Sequence, residues 1–113
     1  MLDKKNFIDD KLKHSLLMFI VLQSLKKKSA YPYDLLRKFK GHKDHPIFAG
    51  LGKNDIYNVV SALTNKDLIK EAQNKNSNKK YYKITAKGRE ILKSSKVLLI
   101  KHMRELQRLL NEE

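Results

Sequence analysis

From Gly52 to Gly88 the chain strings together a helix, a short strand, a polar turn, a second strand and the start of another helix, and that order leaves few folds open. Between Lys53 and Lys66 the apolar residues Ile56, Val59, Val60 and Leu63 recur at helical spacing and share one face. Asn54, Asn58, Ser61 and Asn65 lie on the opposite side. A solvated helix ordinarily carries Lys and Glu there, and Asn and Ser are poor residues for a helix interior. Reading base edges accounts for such a face, since Asn pairs bidentately with adenine in the major groove. An Asn-rich composition inherited from an A·T-rich genome is the other reading.

After this helix, Leu68-Ile69-Lys70-Glu71-Ala72 and Lys80-Tyr81-Tyr82-Lys83-Ile84 each read as a strand. The residues between them, Gln73 to Lys79, have turn chemistry and nothing to bury. Lys75, Lys79, Lys80, Lys83 and Lys87 stand within Gln73 to Lys87 without a carboxylate among them. A basic hairpin beside a polar-faced helix suits phosphate contact from one element and base contact from the other. The expected fold is mainly α with a small β-hairpin (α+β), a winged helix-turn-helix.

The flanking segments extend this frame. Residues 1–10 read as an arm or as the first turn of the next helix, which Asp9 or Asp10 can cap and which runs to about Lys26. Its run Leu16-Leu17-Met18-Phe19-Ile20-Val21-Leu22 is apolar all round, so one side can face the core and the other a second subunit. Lys26, Lys27 and Lys28 then oppose the helix dipole at its C-terminus. A shorter helix spans Ser29 to Lys40, with Pro32 near its first turn and Leu35, Leu36 and Phe39 inside. Tyr33 is read first as core, with a phosphate hydrogen bond as the alternative. Residues 41–52 break regular structure with three glycines and a proline, and Ile47, Phe48 and Leu51 tuck the segment onto the domain. His42, Asp44 and His45 suggest a metal site, but structural zinc takes four ligands and no fourth is apparent, so no metal is expected.

Thr85 is a sound N-cap for a last helix running to about Asn111. Leu92, Leu99, Met103, Leu106 and Leu110 form a coiled-coil-like seam along it, widened by Leu98 and Leu109. A helix so long overhangs a small core, and its seam needs a partner. The expected division is an arm at 1–10, a DNA-binding domain at 11–88 and a dimerisation helix at 89–113. Leu16, Phe19 and Ile20 join Leu92, Leu99, Met103, Leu106 and Leu110 as the expected dimer contacts.

Composition narrows the function. A formal charge of +13 on 113 residues favours a polyanionic partner. There is no cysteine, the four histidines are scattered, and no glycine-rich phosphate loop occurs, so neither catalysis nor a cofactor is expected. The longest apolar run is too short to span a bilayer, and no signal peptide is legible, so a cytoplasmic protein without a membrane partner is expected. The last helix is basic and amphipathic, as membrane-surface helices are, but it lacks the aromatic residues that favour an interface. RNA binding has only Tyr57, Tyr81 and Tyr82 to offer as stacking residues, and Tyr82 alternates with Ile84 as a core residue does.

The segment Tyr81-Tyr82-Lys83-Ile84-Thr85-Ala86-Lys87-Gly88-Arg89-Glu90-Ile91-Leu92 resembles the wing and last-helix start of PadR-type transcriptional regulators. Ile56-Tyr57 with Val60, Leu63 and Leu68-Ile69 resembles that family's recognition helix, and Tyr31-Pro32-Tyr33-Asp34-Leu35 resembles its second helix. The likeness covers roughly residues 12 to 110, although Pro32 and Asp67 stand where the family usually has glycine, and residues 41–52 form a longer insert than is typical. By that resemblance Lys53, Asn54, Tyr57, Asn58 and Ser61 meet the major groove, while Lys75, Asn76, Asn78, Lys79 and Lys80 hold the backbone or minor groove from the wing. It implies a homodimeric repressor of double-stranded DNA. A small apolar effector between the subunits belongs to the same expectation, with no residue here to identify it. Similar folds with a long dimer helix also serve plasmid or phage DNA maintenance and replication termination, and the residues do not separate these roles.

Overall fold

The computed structural model describes residues 6–42, 44–72 and 78–112. Four helices and one hairpin follow in the order α1 (Phe7–Lys27), α2 (Pro32–Lys40), α3 (Lys53–Asn65), β1 (Ile69–Ala72), β2 (Tyr81–Ile84) and α4 (Ala86–Asn111), with a 3-10 turn at Pro46–Phe48. This is the mainly helical winged-helix architecture the residue pattern predicts.

The first helix starts earlier than its acidic pair suggests. Asn6 is the cap, its side-chain oxygen accepting the Asp9 N–H at 2.9 Å. Asp9 and Asp10 instead sit in the first turn, where their charge opposes the helix dipole favourably. Residues 7–10 are therefore helical.

One core joins all the elements. Leu17, Val21, Leu22 and Leu25 of α1, Leu35, Leu36 and Phe39 of α2, and Ile56, Val59, Val60 and Leu63 of α3 are buried together. The 3-10 turn joins through Phe48, whose ring stacks on Phe39 with centroids 5.1 Å apart, and Leu51 packs beside it. The hairpin pairs antiparallel in the register Ile69↔Ile84, Lys70↔Lys83, Glu71↔Tyr82 and Ala72↔Tyr81. Ile69 and Ile84 seal it to the core. Ala30, just before α2, exchanges two backbone hydrogen bonds with Tyr82, at 3.1 and 2.9 Å. That bridge ties the start of α2 to the wing.

The turn from α3 into β1 is made by Asp67 at φ 60, the left-handed conformation that costs most residues about 1–2 kcal/mol and glycine almost nothing. Its carbonyl accepts the Thr85 hydroxyl at 2.7 Å, and the same hydroxyl oxygen caps α4 by accepting the Gly88 N–H at 2.9 Å. Asp tolerates this backbone, so Asp67→Gly is expected to leave the thermal midpoint unchanged or slightly raised. Asp67→Val should cost about 1–2 kcal/mol, because a β-branched side chain clashes there. Thermal unfolding of the two variants checks this, and equal midpoints would contradict it.

Candidate nucleic-acid interface

Burial fixes how α3 is turned. Ile56, Val59 and Leu63 are 1%, 0% and 0% exposed, so the helix cannot rotate about its axis without opening the core. Its N-terminus is held by the Asp55 carboxylate, which accepts the Gly52 N–H at 2.8 Å. Thus Lys53, Asn54, Tyr57, Asn58 and Ser61 all project from the exposed side, with Asn65 at the far end of the same face. The Lys53 ammonium lies 5.7 Å from the centre of the Tyr57 ring. This face presents amides, hydroxyls and one cation on a rigid support, the combination that base-edge hydrogen bonding requires.

Beside it stands the hairpin. Asn78, Lys79 and Lys80 are exposed, whereas Lys75 and Asn76 lie outside the described residues. Lys80 meets Glu71 at 3.5 Å in a solvated ion pair that contributes little to stability. Lys79 sits over the Tyr31 ring at 5.7 Å, facing the start of α2. Lys70 and Lys83 are direct cross-strand partners and both exposed. Like charges directly opposite destabilise a sheet, and an anion beside them relieves that cost. Their pairing depends on register, which sequence inspection does not supply.

Between hairpin and α3 runs a groove of about 440 Å³ lined by Tyr31, Pro32, Tyr33, Tyr57, Lys79 and Tyr82, with Lys80 at its rim. Tyr33 is 55% exposed here, so it is a surface residue and not the core residue first expected. Tyr82 is half-buried. Burial raises the pKa of its hydroxyl and the Glu71 carboxylate adds to the effect, so the group stays protonated at neutral pH and able to donate. Tyr31 and Tyr82 join this surface through the Ala30 bridge.

The expected dimer contacts divide into two sets. Leu92 is 1% exposed and belongs to the chain's own core, where α4 crosses α1, so it is not available to a partner. Leu16, Phe19, Ile20 and Leu99 are half-buried. Met103, Leu106 and Leu110 are exposed, as are Leu98 and Leu109. An apolar groove of about 230 Å³, bounded by Met18, Phe19, Leu22, Ile91 and Ser95, lies between α1 and the N-terminal part of α4.

The His42 and His45 rings lie tilted to each other with centres 5.9 Å apart, and the Phe48 ring lies 6.4 Å from the first and edge-on to the second at 6.3 Å. Among the described residues no group of three His, Cys, Asp or Glu side chains is placed to hold a metal ion. No helix among them is long and apolar enough to cross a membrane.

Residues 21–94 match the model of the transcriptional regulator PadR-like family. The chain belongs to the PadR-like family. The PadR-like match takes in α2, α3, the hairpin and the first turns of α4. Its architecture is similar to that of the PadR family transcriptional regulator from Eggerthella lenta DSM 2243, at 21% identity and TM-score 0.72 over 91% of this chain and 88% of that one. It is likewise similar to a PadR-like transcriptional regulator from Bacillus cereus, at 24% identity and TM-score 0.67 over 88% and 95% of the two chains. A PadR family transcription regulator from Clostridium difficile matches at 21% identity and TM-score 0.66 over 83% and 97%. At these identities the structures establish a shared fold. No protein of curated function matches the chain by sequence.

Proposed function

We propose that this PadR-like regulator is a homodimeric, sequence-specific double-stranded DNA-binding repressor that works in the cytoplasm and carries no catalytic activity. The observation that supports this reading most is the outward face of α3. Asn54, Asn58 and Ser61 are exposed, nearly uncharged and rigidly carried, beside a hairpin bearing Asn78, Lys79 and Lys80. In this reading Lys53, Asn54, Tyr57, Asn58 and Ser61 meet base edges and the adjoining backbone. The wing, with Lys75 and Asn76 included, holds phosphates. The exposed Met103, Leu106 and Leu110, continued through Leu99 to Leu16, Phe19 and Ile20, pair with a second copy. A dimer covering two half-sites denies that stretch of duplex to other proteins, and this is how it would repress.

The two parts of the interface should fail differently. Lys79→Ala with Lys80→Ala removes charges that carry no sequence information, so binding to every duplex weakens by a similar factor. The dependence of log affinity on log salt should become shallower by about 0.9 for each phosphate that is no longer neutralised. Asn58→Ala removes a pair of hydrogen bonds to one base, about 1–3 kcal/mol of discrimination, and leaves the salt dependence unchanged. The measurement is anisotropy titration against a duplex selected from a random library and against random duplex. If Asn58→Ala keeps the full ratio of selected to random binding, α3 does not read bases through this face. A salt-independent wild-type affinity would favour a protein partner over DNA.

A further inference from the structure

The asparagines of this chain are not spread as a composition bias would spread them. Asn54, Asn58 and Asn65 are three of the 13 residues of α3. By contrast α1 and α2 contain none, and the 26 residues of α4 contain only their last, Asn111. An A·T-rich genome would enrich the solvated faces of all four helices alike. Asn is a poor helix former, yet α3 keeps it on an exposed face where Lys or Glu would serve the helix better. Nor are these amides turned back onto the helix. Thr64 returns its hydroxyl to the Val60 carbonyl at 2.7 Å, but Asn54, Asn58 and Asn65 make no side-chain hydrogen bond among the described residues.

What α3 lacks is equally specific. The arginines of the chain are Arg37, Arg89, Arg104 and Arg108, so none lies on α3 or the hairpin. Guanine is read most often by a bidentate Arg or Lys at O6 and N7. The one cation of α3, Lys53, stands at its first residue with its ammonium over the Tyr57 ring. Asn meets adenine instead, its amide oxygen accepting from the N6 amino group and its amide nitrogen donating to N7. Asn54 and Asn58 are about 6 Å apart along the helix axis, close to the rise of two base pairs. We propose that Asn54 and Asn58 each read one adenine in the major groove, so that α3 selects A·T pairs and reads no guanine directly. This rests on the reading of the chain as a duplex-binding protein and names the bases it selects. A methyl group on N6 takes the place of the hydrogen that the Asn oxygen accepts, so adenine methylation would release the site.

The full chain is first used to select a site from a random duplex library. Each adenine of that site is then replaced in turn by 7-deazaadenine, which pairs normally but lacks the N7 acceptor. In anisotropy titrations, two replacements in each half-site should weaken wild-type binding by about tenfold, and N6-methyladenine at the same positions should weaken it at least as much. Asn58→Ala should become indifferent to one of the two replacements and Asn54→Ala to the other, because each variant has already lost the group that meets N7. The wild-type titrations carry the test even where a variant folds poorly. Sensitive positions occupied by G·C pairs overturn the proposal, as does a wild-type affinity unmoved by every 7-deazaadenine. So does a sensitivity that both variants retain in full. Equal binding of all duplexes overturns it too and leaves duplex binding standing, whereas no duplex binding at any salt removes the underlying reading as well.

Discussion

Leu106→Asp together with Leu110→Asp is expected to turn the protein into a folded monomer. Both side chains stand exposed on a single chain, at 54% and 67%, so their loss disturbs no intrachain packing. Burying a leucine is worth about 1.5–3 kcal/mol, and two from each subunit supply roughly 6–12 kcal/mol. A micromolar dimer needs only about 8 kcal/mol in all. The carboxylates add a further cost, because an unpaired charge would be buried in the seam. Light scattering at micromolar concentration reads the result, with circular dichroism to confirm the helices. Linking two half-site contacts raises affinity by about 10²–10⁴, so binding to the selected duplex should drop by at least two orders of magnitude. A variant that stays dimeric would place the interface elsewhere. A wild-type monomer would mean that the apolar seam of α4 needs no second copy.

Gly88→Ala should be clearly destabilising, against what helix propensity suggests. Gly88 stands in the first turn of α4, and within a helix Ala is favoured over Gly by up to about 1 kcal/mol. Here, however, a β-carbon at position 88 would overlap the Leu68 carbonyl oxygen and come within 2.8 Å of the Ile84 side chain. The carbonyl cannot swing aside cheaply, because it accepts the Thr85 N–H at 3.0 Å. Overpacking of this kind costs about 1–3 kcal/mol and more where backbone is involved, so the clash outweighs the propensity gain. The thermal midpoint should fall by about 10 °C, given roughly 4–8 °C per kcal/mol for a domain near this size. Since Gly88 fixes α4 against the strand that leads into the wing, DNA affinity should fall with it. An unchanged midpoint would show that α4 moves freely away from β1.

Much of this architecture is legible in the residues because it depends on local chemistry. The 3.6-residue spacing of Ile56, Val59, Val60 and Leu63 specifies the inner face of α3 and so its outer one. Thr85 caps α4 as its hydroxyl chemistry demands, and the strands fall within the two five-residue runs that flank the polar turn. The net charge of +13 needs no fold to be read. What helical spacing reports is which residues share a face, not what covers that face. Leu92 shares the seam of Leu99 and Leu106, yet only the crossing of α4 over α1 puts it in the chain's own core. Tyr33 reads as core because aromatic residues usually are, but the turn of α2 that buries Leu35, Leu36 and Phe39 leaves it outside. The tyrosine groove and the Lys70↔Lys83 pair are decided by tertiary structure alone. Their members are separated along the chain, and only the Ala30 bridge and the hairpin register bring them to one surface.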